Sequence, residues 1–420
     1  MQRKKVILSA ILTTGVLFLS ACIGLLPLEE DPVTGDYGPD FASQEHQLRT
    51  FDELWENFET AYIYFESAEQ DWEGLRERYT RRIESGLSSA EFNSMLDDLE
   101  ADLPPRSLIH QTRQERLEAD LAQLETYDGI GAFIGFQAED VPHAVILAVM
   151  EGSPAEDAGL KAHDSIFSID GIPILLEEGL NAVSRIRGPA GTSVTLEVRS
   201  PGQQQRTIDV ERARLTSTGK LEASVVPSTE YVYLLFPPNG YEGLEQDVLN
   251  SLEALAPDRE LAGLILDLRI ASSSRGWPIE TLFSMFHEGE IGELYNRLQA
   301  QPVEIQGQDV FNSQSVPLVI LVGENTSGFA EVLAASLQMH ERATLIGEPT
   351  PGDVETQSSF FLPDGSRMFV ESTSFRLPDG MDIGTSGVEP DIRVEAGWDD
   401  VLPEDDPVLE QAVTFLETQE

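Results

Sequence analysis

Apolar positions along the chain follow two rhythms. Phe51, Leu54, Trp55 and Phe58 recur at i, i+3, i+4 and i+7, and Trp72, Leu75 and Tyr79 continue the stripe of an amphipathic helix. Ser88 or Ser89 followed by Glu91 has the form of a helix start before Phe92, Met95, Leu96 and Leu99. The spacing predicts a helical segment over residues 51–106, with the aromatic stripe as its packing core. Further along, the rhythm shortens. Val194, Leu196 and Val198 alternate as a strand with one apolar face. Residues 263–268 and 318–322 are short continuous apolar runs of strand length. After the second run, residues 323–328 punctuate the chain as a turn, and Phe329, Val332, Leu333 and Leu337 fall at helical spacing. Residues 344–346 return as a strand. Strands and helices alternating over 231–398 predict an α/β body, closed by an amphipathic helix within 399–420.

The amino end is different in kind. Arg3-Lys4-Lys5, an apolar stretch over 6–19 and the small residues before Cys22 have the form of a secretion signal over residues 1–21. Its Leu19-Ser20-Ala21-Cys22 ending resembles a bacterial lipobox. That implies lipidation of Cys22 and a protein anchored to the outer face of the membrane in the cell envelope. The apolar run is shorter than the ~20 residues a membrane span needs. Residues 22–50 carry turn formers and acids without periodicity and read as an acidic linker.

Charge narrows the partners. With 27 Lys and Arg against 74 Asp and Glu, the net charge is −47. Such a surface repels nucleic acid, so none is expected as a partner. Cys22 is the only cysteine, which leaves no internal disulfide and no Cys-based metal site. His46, His110, His143, His163, His287 and His340 are scattered without metal-ligand spacing, and there is no Gly-Lys-Ser/Thr phosphate loop. No metal and no cofactor is expected.

Residues 128–215 resemble a PDZ domain, a β-rich peptide-binding module. Gly129, Ile130, Gly131 and Ala132 match the loop that receives a peptide carboxylate on backbone N–H groups, where glycine permits the tight turn. Ser153 and Pro154 open a helix as N-cap and first residue. Asp164–Gly171 reads as strand and turn, and Gly188-Pro189-Ala190-Gly191 precedes the alternating strand. The resemblance implies that a polypeptide C-terminus adds a strand to the sheet edge.

Residues 316–357 resemble the active-site region of the C-terminal processing, or tail-specific, serine peptidases. Glu331, Arg342-Ala343, Gly347-Glu348, Gly352 and Gln357 match the family pattern, and 375–380 and 387–392 match its closing motif. The implied fold is α/β, with an N-terminal helical segment, a PDZ domain and a peptidase-like domain of the crotonase and ClpP type. The implied activity is cleavage of exposed or unfolded polypeptide C-termini. Two positions depart from the pattern: the nucleophilic Ser falls on Gly328 and the general-base Lys on Asp353. The Asp-Pro-His-Ser-like turn of the family is replaced by Leu103-Pro104-Pro105-Arg106-Ser107, and in the oxyanion loop only Gly276 keeps a small residue. Glycine has no side chain with which to attack, and a carboxylate is the wrong charge type to replace a desolvated Lys.

These residues point to a pseudo-peptidase that retains peptide binding. Three other readings stay open, the last of them a lipoprotein that binds a carbohydrate or small ligand in the cleft the family uses for catalysis. Ser327, one position early, would serve as a shifted nucleophile; its side chain on a helical path would point about 100° away from that of residue 328. Alternatively, the chain is a non-catalytic adaptor that presents peptides to a partner protease.

Overall fold

The computed structural model describes residues 43–122, 127–138, 141–215, 219–256, 260–272, 278–402 and 405–419. The signal segment, Cys22 and Gly276 lie outside the described residues. No helix among those described is long and apolar enough to cross a membrane.

Three helices, Gln44–Ala61, Trp72–Glu84 and Ser89–Asp102, form the predicted helical segment. Ser88 caps the third with a reciprocal bond to Glu91, as the spacing anticipated. Phe51, Leu54, Trp55, Phe58, Tyr79 and Leu99 meet in one core, which extends onto Met368 and Val370 of the body. The aromatic stripe is therefore packing. One boundary needs correction: the first helix starts at Gln44, inside the stretch read as linker. Gln47 and Thr50 are polar yet fully buried there, so no apolar periodicity betrayed the extra turn.

The PDZ-like unit is a sheet ordered Ala132–Gln137, His143–Val149, Ser165–Ile169, Ser193–Arg199, Arg206–Glu211. Its core comprises Ile146, Ile166, Val194, Leu196, Val198 and their neighbours, capped by a short Pro154–Asp157 helix with Ser153 as N-cap. A 3-10 segment, Leu176–Ile186, is interrupted at Gly179 (φ 50°) and leaves Leu176 and Leu180 exposed.

The α/β body is built on a six-stranded sheet ordered Glu222–Val225, Val232–Leu235, Leu264–Asp267, Leu318–Val322, Thr344–Gly347, Ile392–Arg393. All neighbours are parallel except the first pair. Both faces are covered, which is why its strands read as unbroken apolar runs. Leu264, Leu266, Leu318 and Ile320 face the helices Leu244–Leu255, Ile279–Phe286 and Phe329–Met339. Ile265, Val319 and Leu321 face the closing helix Pro407–Glu417. A second, antiparallel sheet joins Leu108–Gln111, Arg367–Arg376, Gly289–Tyr295 and Ala300–Ile305, with Thr356–Phe361 also paired to the long Arg367–Arg376 strand. Periodicity did not mark this sheet, because Gly289–Tyr295 is only partly buried and bulged between Glu290 and Gly292, Ala300–Ile305 is mostly exposed, and Arg367–Arg376 is buried on both faces without alternation.

A polar seam joins the PDZ-like unit to the body. Trp398 stacks on His163 at 4.1 Å, lies under the Arg269 guanidinium at 5.2 Å, and donates its indole N–H to the Ile146 carbonyl at 3.2 Å. Next to it, Asp399 Oδ2 accepts from Ser165 Oγ (2.6 Å) and lies 2.7 Å from His143 Nε2. Burial by itself would lower the His143 pKa, but the bonds to Asp399 and the Val141 carbonyl outweigh that and raise it.

Candidate active site

The turn between the Leu318–Val322 strand and the Phe329–Met339 helix is fixed from below. Thr326 is buried; its Oγ1 donates to the Leu268 carbonyl (2.8 Å) and accepts from the Gly323 N–H (3.0 Å). Ser327 N–H donates to the Ala271 carbonyl at 3.0 Å. Ser327 Oγ has no hydrogen bond with a described residue. Gly328 then heads the helix at φ 61°, ψ −131°, a conformation that bulky residues avoid. Its N–H donates to the Asp353 carbonyl at 2.6 Å, which joins the two positions where the resemblance places nucleophile and base.

Glu331 explains why the surrounding pattern is retained. It is wholly buried, one turn into the helix, and its two oxygens accept from the Gly352 N–H (2.7 Å) and the Asp353 N–H (2.8 Å). Burial lifts its carboxyl to about 7, against the pull of Thr350 and these two donors. Gly352 sits at φ 79°, where a Cβ would come within 2.8 Å of the Gly387 nitrogen. At the far end of the helix, Arg342 donates to the Phe286 carbonyl (2.9 Å) and the Ser313 carbonyl (2.5 Å). Glu331 and Gly352 are thus the scaffold that positions residues 328 and 353, while Arg342 anchors the far end of the helix.

Beside that scaffold lies a cluster that sequence reasoning missed. Arg106, at φ 66° in the Leu103–Ser107 loop, places Nη1 2.6 Å from Asp353 Oδ1. Its other nitrogens lie 3.6 Å from Glu355 Oε2 and 3.5 Å from Glu371 Oε1. Tyr64 donates to Glu355 Oε1 at 2.6 Å, while Oε2 has no hydrogen-bond partner. Desolvation, then the neighbouring Glu355, pushes Glu371 up to about 7; desolvation likewise raises Glu355. The sequence marked the Leu103–Ser107 turn and Asp353 as separate departures. The fold brings them into one ion pair. Only complementary charge hinted at it.

The other predicted residues are placed as follows. Gln357 is exposed on the Thr356–Phe361 strand opposite Glu371, and its side chain bonds no described residue. In the PDZ-like loop, Gly131 is at φ 82° against Ser153, and its carbonyl accepts from Ser153 Oγ (3.2 Å) and the Met150 N–H (2.9 Å). Ile130 points into the core, Gly129 pairs with Ala213, and Ala132 begins the receiving strand. That strand also meets the candidate site: Gln137 Nε2 donates to Glu324 Oε2 at 2.9 Å, and Gly135 packs against Asn325.

Comparison with known proteins decides the family. A carboxyl-terminal-processing protease of Synechocystis sp. is 30% identical over 355 residues, covering 81% of this chain and 79% of that protein. Another, from Picosynechococcus sp., is 31% identical and covers 81% of each. The chain belongs to the carboxyl-terminal processing peptidase family. Within it, residues 238–394 match the peptidase family S41, 145–200 the PDZ domain, and 44–101 the Tricorn protease C1 domain. The last match starts at the corrected helix boundary. The photosystem II D1 C-terminal processing protease shares the fold, with a TM-score of 0.63 over 86% of this chain and 95% of that one, at 24% identity. Members of the family are serine peptidases that carry a PDZ domain.

Proposed function

We propose that this chain is a lipid-anchored envelope member of the C-terminal processing family that binds polypeptide C-termini through its PDZ domain and has lost most or all hydrolysis. One observation carries the reading. At the turn where the family mounts its chemistry, Gly328 has no side chain, its N–H is taken by the Asp353 carbonyl, and the Asp353 carboxylate is held by Arg106. A serine peptidase needs a nucleophile, a proton acceptor and donors for the oxyanion. A carboxylate paired to a guanidinium replaces none of them. Losing members of such a catalytic set lowers rates by several orders of magnitude. The anchor is supported by the lone Cys22 after Leu19-Ser20-Ala21, and labelling with a radioactive fatty acid, lost in Cys22→Ala, tests it. On this reading the bound peptide is held for, or handed to, a separate envelope protease.

The second reading, Ser327 as a shifted nucleophile, is favoured by an Oγ that no described residue engages. It lacks a base within hydrogen-bond reach among the described residues. The decisive experiment follows binding and cleavage of an unstructured protein with an apolar C-terminus. Wild type is expected to bind and not cut, and Gly328→Ser/Asp353→Lys to regain measurable cleavage. If wild type cuts, and Ser327→Ala abolishes both cutting and fluorophosphonate labelling, the pseudo-peptidase reading is wrong.

A further inference from the structure

We propose that the acidic cluster beside the Gly328 turn is a receptor for a basic side chain: Asp353, Glu355 and Glu371 take the guanidinium or ammonium of an Arg or Lys in a bound polypeptide, displacing Arg106, which occupies the place in the free protein. This rests on the reading above, since a working dyad would need the same space.

Negative charge exceeds positive charge in the cluster. One guanidinium faces three carboxylates, and only its contact with Asp353 is short; the other two, at 3.6 and 3.5 Å, are too long for hydrogen bonds. Glu355 is the least satisfied of the three. Its side chain is only 2% exposed, yet Oε2 has no hydrogen bond and points into the cluster. A buried carboxylate oxygen left without a donor costs free energy that a second cation would recover. Glu371, 7% exposed, lies beside it, and its pKa is raised by desolvation and then by the neighbouring Glu355.

The cluster is reachable from solvent. Asp353 and Arg106 are 46% and 44% exposed, so the mouth of the cluster is open while its floor is dry. Pro105 and Arg106 are exposed at the tip of their loop, so the Arg106 side chain can turn out into solvent without disturbing the core. A metal ion is the poorer fit: among the described residues no group of three His, Cys, Asp or Glu is spaced to hold one. A planar guanidinium, with five donors in a fork, suits carboxylates arrayed around one point. The Asp353 carbonyl is bonded to the Gly328 N–H, so the receptor opens on the turn where the family's chemistry sits. The net charge of −47 would draw cationic segments toward it at low salt.

The test uses the full chain and C-terminally amidated pentapeptides, Ala-Ala-Arg-Ala-Ala and its citrulline counterpart, by calorimetry at pH 8. Amidation removes the carboxylate that the PDZ loop would hold. The Arg peptide is expected to bind at least tenfold tighter than the citrulline one. Asp353→Asn should weaken it about tenfold, and Arg106→Ala should tighten it severalfold, a sign that structural damage does not produce. Binding should also weaken from pH 8 to pH 6, as protons return to the cluster. Equal affinity for both peptides, or an Arg106→Ala variant that binds no tighter, overturns the inference. A separate arm keeps the two readings apart. A peptide without charged side chains and with a free apolar C-terminus that binds without being cut leaves the pseudo-peptidase standing even if the Arg peptide fails. Cleavage of that peptide brings the pseudo-peptidase down instead.

Discussion

Two buried acid sites flank the Gly352–Asp353 turn, and both are pushed up to about 7. Glu331, on the helix side, spends both oxygens on backbone N–H groups of residues 352 and 353. Glu371, on the sheet side, has Arg106 at 3.5 Å and Glu355 as a like-charged neighbour. The same direction of shift therefore has two meanings. Around Glu331 it is the residue of burial after full hydrogen bonding, and the carboxyl serves structure. Around Glu371 it registers burial first and then the like charge of Glu355, which Arg106 offsets only in part, and the carboxyl is available to something else.

The comparison can be broken in three ways, from the largest effect down. Glu331→Ala should destabilise the fold by about 3 kcal/mol, because two backbone N–H groups near the turn lose their acceptor. Glu331→Gln, which keeps one acceptor, should cost roughly 1 kcal/mol. Denaturant titration reads both; a neutral Glu331→Ala would show that the bracket is ornamental.

Next comes the seam, a third buried acid and a satisfied one. His143 is raised by Asp399, so its contribution is present below its ordinary value of 6.5 and is lost as pH rises through the raised folded value. Asp399→Asn should cost about 2 kcal/mol at pH 6 and less at pH 8. A loss independent of pH would assign the stability to Ser165 and packing instead.

The smallest effect has the opposite sign. Glu371 holds a proton in the folded chain that the unfolded chain, with an ordinary value of 4.5, releases. From there up to about 7, stability therefore falls as pH rises. Glu371→Gln should be more stable than wild type at pH 8 by roughly 1 kcal/mol and match it near pH 5. A variant less stable at both pH values would mean that Glu371, like Glu331, is structural.

Much of this architecture was legible because local and global signals agree. Val194, Leu196 and Val198 alternate since their sheet buries one face, and Leu318–Val322 runs unbroken since its sheet buries two. Ser88 and Ser153 announced their helices through capping chemistry that depends on only a few neighbouring residues. The cluster around Arg106 was illegible for the opposite reason. Tyr64, Arg106, Glu355 and Glu371 come from separate elements, and nothing in any one of them signals the others. The first helix began early for a related cause: Gln47 is buried because it donates to the Leu87 carbonyl, a partner far along the chain.

The backbone at Gly328 has an evolutionary corollary. At φ 61°, ψ −131° a glycine rests without strain, whereas a residue with a Cβ would hold roughly 1–3 kcal/mol there. Replacing a side-chain-bearing residue at this turn is a downhill step in stability, and restoring one is uphill. On the function proposed above, a lineage that dispenses with the cut gains a firmer fold by giving up the side chain at this position, and Gly328→Ser must bear that cost in stability before any activity returns.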